Sequence, residues 1–412
     1  MKTVFSRSPA TGALTFVEAK VDGVGGVDDL RQTTAVAVSP DGVHVYASGF
    51  LDDAVVVFGR NPGTGALTFL GAYENGAAGI TGLVGPSAIA ISPDGAHVYV
   101  TGQSANAVLA FGRNTGTGAL TFVGTAIDGM GGVDGIRRPD DVTLSPDGAH
   151  VYVAGAGDDA VAVFSRDLGT GALTFVEVER DGVGGVDGIE RASGVVVSPD
   201  ATNVYVTGEH DNAIATFSRQ AGTGALTFVE FDKAGVCGGG LKGAQAAVVA
   251  PDGAAVYVAG EFQSATAFLR REPTTGSLFL VEAKVDDKAG NDGLEDVFGL
   301  AISPDGRSVY AAARGESAGL PHTLGSTTST WVPRPPGPSP RRTDPECSSV
   351  RRATIESPKP LPLSTLPVRR WKRRHTFARS AGGIPGPWSV TPIRTCGPAG
   401  AALTVTTVSG GL

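Results

Sequence analysis

The sequence predicts an all-β fold of repeated four-stranded units, and three observations carry that prediction: a fixed internal period, the strand content of one period, and the near absence of helical periodicity. The motif SPDG places an aspartate at Asp41, Asp94, Asp147, Asp200, Asp252 and Asp305, with Ala201 replacing the glycine in the fourth copy and Ala250 the serine in the fifth. The motif TGALTF places a threonine at Thr11, Thr64, Thr117, Thr170, Thr223 and, as TGSLFL, at Thr275. Both series advance by 53 residues, with a single step of 52 in each. A period of this length, filled with short β-rich segments, indicates the blades of a β-propeller rather than a helical solenoid.

One copy, 141–176, shows how the elements arise. DVTLS, HVYVAG, AVAVFSR and ALTFVEV are short runs rich in Val, Tyr and Phe, each bounded by Gly, Asp, Pro or Ser. Pro146 presets φ for the second position of a tight turn, and Gly148 supplies positive φ where the chain reverses. First strands such as VAV, IAI and VVV lack polar alternation, as expected where both faces are covered, and Ala35, Ala37, Ala88 and Ala90 suit a crowded inner strand.

Taken in order, MKTVFSR matches a third strand and Ala13 to Val17 a fourth. Complete blades begin near Ala35, Ala88, Asp141, Gly194 and Ala246, and a sixth set starts at Gly299, gives LAISPDG and SVYAAA, and then stops matching. The expectation is six blades, seven if a further C-terminal repeat exists, with the N-terminal pair completing the last blade so that no open edge is left.

After residue 316 the chain changes character. Residues 317–412 hold all three tryptophans, 15 of the 26 prolines and 13 of the 33 Lys and Arg, but only 3 of the 41 Asp and Glu. The two parts, 1–316 and 317–412, therefore carry −18 and +10. Pro-rich, aperiodic sequence of this kind does not build a packed core and is expected to be disordered, with AALTVTTV the one strand-like stretch. The run VRRWKRRHTFAR around Trp371 would suit nucleic acid or an acidic surface if the tail is genuine. The break falls inside a blade, which favours the other reading, a change of reading frame. Cys237 is the one cysteine of the repeats, so no disulfide framework exists there. The N-terminus has no apolar leader and no run is long enough for a membrane helix, which points to a cytoplasmic chain away from membranes, expected as a monomer.

The repeat SPDGAHVYVTG followed by DDAVAVFSRDLGTGALTFVE resembles the β-propeller lactonase family, which includes propeller-type 6-phosphogluconolactonases, and its YVTN-repeat relatives. The resemblance covers residues 1 to about 314. It implies a propeller usually described as seven-bladed and, as an activity, hydrolysis of a lactone. No set of family catalytic residues maps onto this chain by motif.

Site residues are expected where the copies differ. The signpost turns lie on one face of the blades, and the loops joining second to third strand, and fourth strand to the next blade, on the other. Eight residues before the SPDG serine the copies read Arg31, Val84, Arg137, Glu190, Lys242 and Glu295, followed by Gln32, Gly85, Arg138, Arg191, Gly243 and Asp296. Asp140 and Gln245 are copy-specific, and His210, beside Glu209, is the one blade histidine outside the GxHVY position. Arg31, Arg137, Arg138 and Arg191, with Asp140 and Gln245, form the candidate substrate-binding set, able to hold a phosphate or carboxylate; His210 and Glu209 are the candidate general bases. A lactone hydrolase needs such a base for water and a cation for the developing oxyanion. The plainer alternative is that these arginines pair with Asp140, Asp141 and Glu190 and keep the rim soluble.

No cofactor is expected. The loops VDGVGGVDD, IDGMGGVDG and RDGVGGVDG offer Asp22, Asp28, Asp128, Asp134, Asp181 and Asp187 to a calcium ion, against the simpler reading that these aspartates cap turns. GESAG, around Ser317, lacks the strand and helix a nucleophile elbow needs, and GGGLKG, at 238–243, lacks the βαβ unit of a dinucleotide fingerprint. His44, His97 and His150 recur with the period and read as scaffold. Two functions stay open: hydrolysis of a small anionic sugar lactone at the channel mouth, or a non-catalytic propeller binding a protein, glycan or metabolite on its variable face.

Overall fold

A computed structural model describes residues 2–235, 239–286 and 293–314, together with the backbone of 328–331. The basic run around Trp371, AALTVTTV, Ser317 and Cys237 lie outside the described residues.

The chain opens with a two-stranded sheet, β1 (Lys2–Arg7) and β2 (Leu14–Lys20). Five four-stranded antiparallel blades follow. Blade 1 is β3 (Val36–Val38), β4 (His44–Gly49), β5 (Ala54–Arg60) and β6 (Leu67–Glu74). Blade 2 is β7 (Pro86–Ile91), β8 (His97–Gly102), β9 (Ala107–Arg113) and β10 (Leu120–Ile127). Blade 3 is β11 (Pro139–Leu144), β12 (His150–Gly155), β13 (Ala160–Arg166) and β14 (Leu173–Arg180). Blade 4 is β15 (Ala192–Val197), β16 (Asn203–Gly208), β17 (Ala213–Arg219) and β18 (Leu226–Lys233). Blade 5 is β19 (Ala244–Val249), β20 (Ala255–Gly260), β21 (Ala265–Arg271) and β22 (Leu278–Val285). The sixth sheet holds β23 (Val297–Ile302), β24 (Val309–Ala313) and β25 (Thr328–Trp331).

Second and third strands are the most deeply buried, because each is sandwiched between neighbouring blades. Tyr152, Val161 and Val163 of blade 3, for example, share one apolar cluster with Val195, Val204, Val206 and Phe217 of blade 4. Such burial, at about 25 cal/mol per Å² of apolar surface, is what makes each copy need its neighbour.

A polar clasp repeats between blades on the signpost face. Arg113 Nη2 reaches Asp41 at 2.8 Å, Arg166 reaches Asp94 at 2.8 Å, Arg219 reaches Asp147 at 2.9 Å and Arg271 reaches Asp200 at 2.8 Å, always from one blade to the SPDG aspartate of the blade before. The tyrosine of HVY joins it: Tyr46, Tyr99, Tyr152 and Tyr205 donate to the carbonyls of Gly118, Gly171, Gly224 and Gly276 in the next blade, at 2.8–2.9 Å. The recurrent histidines belong here, as the sequence suggests. His44, His97 and His150 each meet the arginine Nη2 through Nδ1, at 2.6–2.8 Å. An arginine is only a donor, so Nδ1 accepts and each ring is neutral, in keeping with pKa values lowered by burial and by the arginine.

Closure differs from the sequence expectation in one respect. The N-terminal strands do close the ring, but they do not complete the last blade. Among the described residues β1 pairs only with β2, and the third-strand place beside β24 is taken by β25. Arg7 Nη2 makes the same clasp to Asp305 at 2.9 Å, and Tyr310 donates to the Gly12 carbonyl at 2.8 Å. The hairpin thus stands one place beyond the sixth sheet, as the outer half of a seventh blade. Counting strands along the chain leaves two at each end, and only the clasp tells which place they fill.

Candidate functional site

The face opposite the signpost turns is built from three registers that the repeat brings together in every copy. The first is the residue just after the second strand: Phe50, Gln103, Ala156, Glu209, Glu261 and Arg314. Each donates its backbone N–H, at 2.9–3.3 Å, to the carbonyl of the second register: Gln32, Gly85, Arg138, Arg191, Gly243 and Asp296. That second register has positive φ throughout, from 48° to 67°. The turn between second and third strands fixes it, because Asp53, Asn106, Asp159 and Asn212 accept the N–H of Gly85, Arg138, Arg191 and Gly243 in the following blade at 2.7–2.9 Å. Glycine serves this position without strain, as Gly85 and Gly243 show. Arg138 and Arg191, like Gln32 and Asp296, hold it with a side chain present, at 48° to 54° and a cost on the order of 1 kcal/mol each.

The third register is a bulge. In blades 3 to 5 the pairing of first and second strands skips Asp140, Ser193 and Gln245, and in the sixth sheet it skips Phe298. An extra residue of this kind is left out of the ladder and its side chain is re-aimed. Elsewhere the register carries hydroxyls that link blades: Thr34, Ser87 and Ser193 donate to the carbonyls of Pro86, Pro139 and Ala244 at 2.7–2.8 Å. Asp140 instead accepts from Gln103 Nε2 at 2.5 Å.

Blades 3 and 4 concentrate the charges. Glu209 is 4% exposed and lies 2.9 Å from Arg191 Nε, although that N–H is not aimed along a hydrogen bond. Gly208 lets the chain pass, since a Cβ there would stand 2.4 Å from the Gly188 carbonyl oxygen. Burial raises the pKa of Glu209, opposed by Arg191 and His210 and assisted by Glu261 and Asp140, so these five groups share one field. Asp140 is raised too, by burial, against the Gln103 hydrogen bond and the charges of Arg138 and Arg191. His210 is exposed, with Nδ1 3.8 Å from Glu190. Arg314 faces Glu261 at 3.6 Å and covers the Phe298 ring at 4.3 Å.

Of the residues singled out in the sequence, the structure gathers Arg138, Asp140, Arg191, Glu209 and His210. Arg31 and Arg137 lie elsewhere: their backbone N–H groups and side chains engage Asp52 and Asp158, with side-chain contacts of 2.5 and 4.0 Å. Gln245 is in the bulge register of blade 5, with a buried Oε1 that has no hydrogen-bond partner among the described residues. Gln103, Glu261 and Arg314 were not singled out, though their shared place after the second strand would have shown them. The glycine-rich loops are capped as the simpler reading holds: Asp22, Asp128 and Asp181 accept the N–H groups of Leu30, Ile136 and Ile189 at 2.9–3.2 Å. Asp128, Asp134 and Asp158, and likewise Asp181, Asp187 and Asp211, draw together, but Arg180 and Lys233 already pair with Asp134 and Asp211.

Comparison with known proteins agrees with this architecture. A family profile described as a lactonase, seven-bladed β-propeller matches residues 2–135, 36–187, 130–230 and 178–286. The fold is similar to a crystal structure of a candidate 6-phosphogluconolactonase from Bacteroides uniformis, at 20% identity and a TM-score of 0.61, covering 76% of this chain and 84% of that one. A second such protein, from Bacteroides fragilis, gives 18% identity and 0.60, covering 76% and 83%. The periplasmic gluconolactonase of Pseudomonas aeruginosa gives 19% and 0.53, covering 68% and 76%. No curated protein matches. Profile, repeat and clasped blades agree, and the chain belongs to the lactonase family of seven-bladed β-propellers.

Proposed function

We propose that the chain hydrolyses a small sugar lactone carrying an anionic group, at the mouth formed by blades 3 and 4. Arg138 carries the reading: it is exposed, is kept in a left-handed conformation, and has no ion-pair partner among the described residues, while Arg191 is matched to Glu209. A free guanidinium beside buried carboxylates suits a substrate phosphate or carboxylate, held by two parallel hydrogen bonds.

In this reading Glu209 takes the proton of the attacking water. Its raised pKa makes it a stronger base than an exposed glutamate. Arg191 meets the charge that develops on the carbonyl oxygen, and as the acyl C–O bond breaks the proton held by Glu209 passes, with His210 as the relay, to the leaving ring oxygen. Lactone hydrolysis by the full chain tests it, with a phosphorylated and an uncharged lactone side by side. Glu209→Gln is expected to lower kcat about 100-fold or more. Arg138→Ala is expected to raise KM about tenfold for the anionic substrate and little for the neutral one. Unchanged turnover in both variants removes the site. Ligand binding that needs Arg138, without turnover in the parent, leaves the non-catalytic binding module.

A further inference from the structure

The seventh place of the ring lacks its inner half among the described residues, and blade 1 shows what is missing. Arg60 occupies the clasp position, yet it donates only to the Gly42 carbonyl of its own blade, at 2.9 Å, and meets no carboxylate among the described residues. Its counterparts Arg7, Arg113, Arg166, Arg219 and Arg271 all reach an SPDG aspartate. Gly65 likewise receives no tyrosine hydroxyl among the described residues, whereas Gly12, Gly118, Gly171, Gly224 and Gly276 each do.

The space matches as well. A Cβ on Gly118, Gly171 or Gly224 would stand 2.1–2.3 Å from the histidine ring of the preceding blade, while on Gly65 the nearest neighbour is Val4 Cγ1 at 3.8 Å. Val36 and Val38 of β3 are 54% and 53% exposed, although their counterparts to Val36 in blades 3 and 4, Val142 and Val195, are 5% and 1%. Among the described residues β1 pairs on one side only, whereas the third strands β5, β9, β13, β17 and β21 pair on both.

We propose that this place binds a β-hairpin of the repeat's own inner type, strand–SPDG–strand, presented by another polypeptide. Its aspartate would meet Arg60, its tyrosine the Gly65 carbonyl, its histidine the space beside Gly65, its second strand the free edge of β1, and its first-strand side chains Val36 and Val38. Charge complementarity at Arg60 and the open backbone edge favour this occupant over an apolar ligand, which would leave both unpaired.

The probe is a synthetic peptide copying residues 86–103, the inner hairpin of blade 2, added to the full chain. Saturable binding by calorimetry is expected, with a concentration-dependent rise in Tm. The peptide carrying Asp94→Asn should bind about tenfold more weakly, and that difference should vanish in the Arg60→Ala protein. A scrambled peptide that binds equally well overturns the proposal, as does an Asp94→Asn peptide of full affinity. So does a full chain that refuses the peptide while the Val36 amide is protected from exchange, because the chain's own residues then hold the place. A dimer in sedimentation that excess peptide fails to dissociate overturns it in favour of a second copy. None of these readouts depends on lactone hydrolysis.

Discussion

Asp141 stands where the other copies carry Ala35, Ala88, Gly194, Ala246 and Gly299. Its carboxylate accepts the N–H of Val142 at 2.8 Å and, across the joint to blade 4, that of Val195 at 3.0 Å. The residue is half-buried, and desolvation, against those two hydrogen bonds and with help from Asp140, pushes its pKa up to about 7. The folded chain therefore holds more protons than the unfolded one between about pH 4 and 7, so Asp141 costs stability progressively as pH rises through that window. Unfolding free energies from urea titration at pH 5 and pH 7.5 should differ less in Asp141→Asn than in the parent, by on the order of 2 kcal/mol after allowance for partial solvent access. An unchanged difference would place the carboxylate in an aqueous setting. Residues of this kind are only partly legible in a sequence. Comparing copies singles out Glu209 and His210 as candidates, since a scaffold position repeats and these do not. It equally singles out Arg31 and Arg137, because difference between copies does not tell which way a side chain points. That direction comes from the bulge at Asp140 and the left-handed backbone at Arg138 and Arg191, neither of which alters the hydrophobic pattern.

At the scale of the element, the blade is held by a clasp whose parts the repeat spells out. Arg219 has no exposed side-chain surface, and its Nε donates to Tyr152 Oη at 2.7 Å while Tyr152 donates onward to Gly224. Tyr152→Phe removes one acceptor and one donor inside that chain, and urea unfolding should show a loss of about 1–3 kcal/mol, most of it from the stranded arginine N–H. A loss below the error of the measurement would mean that water replaces the hydroxyl. The four strands, their turns and the scaffold role of His44, His97 and His150 were all legible, because each follows from local periodicity or from recurrence at the period. The partner of each histidine was not. It lies in the following blade, 69 residues on, and only packing of one copy against the next brings Arg113, Arg166 and Arg219 to those rings.

For the whole molecule, the all-β class and the repeated blade could be read directly, whereas the number of places could not. Two strands at the start and two at the end of the matching region are consistent with a completed sixth blade or with a seventh in two halves. The contacts of Arg7 with Asp305 and of Tyr310 with Gly12 select the second. On that ring, the chemistry we propose lies on one face, where Glu209 is coupled to Arg191, His210 and Asp140, and Asp140 to Arg138 and Arg191. The most direct test is the pH dependence of kcat/KM for a phosphorylated lactone, measured for the full chain and for Glu209→Gln and His210→Ala. The free-enzyme base appears as a rising limb. The account predicts a limb centred above the ordinary glutamate value of 4.5, because burial raises Glu209, present in the parent and in His210→Ala and absent in Glu209→Gln. A limb that survives in Glu209→Gln, or a profile with no rising limb in the parent, would contradict it.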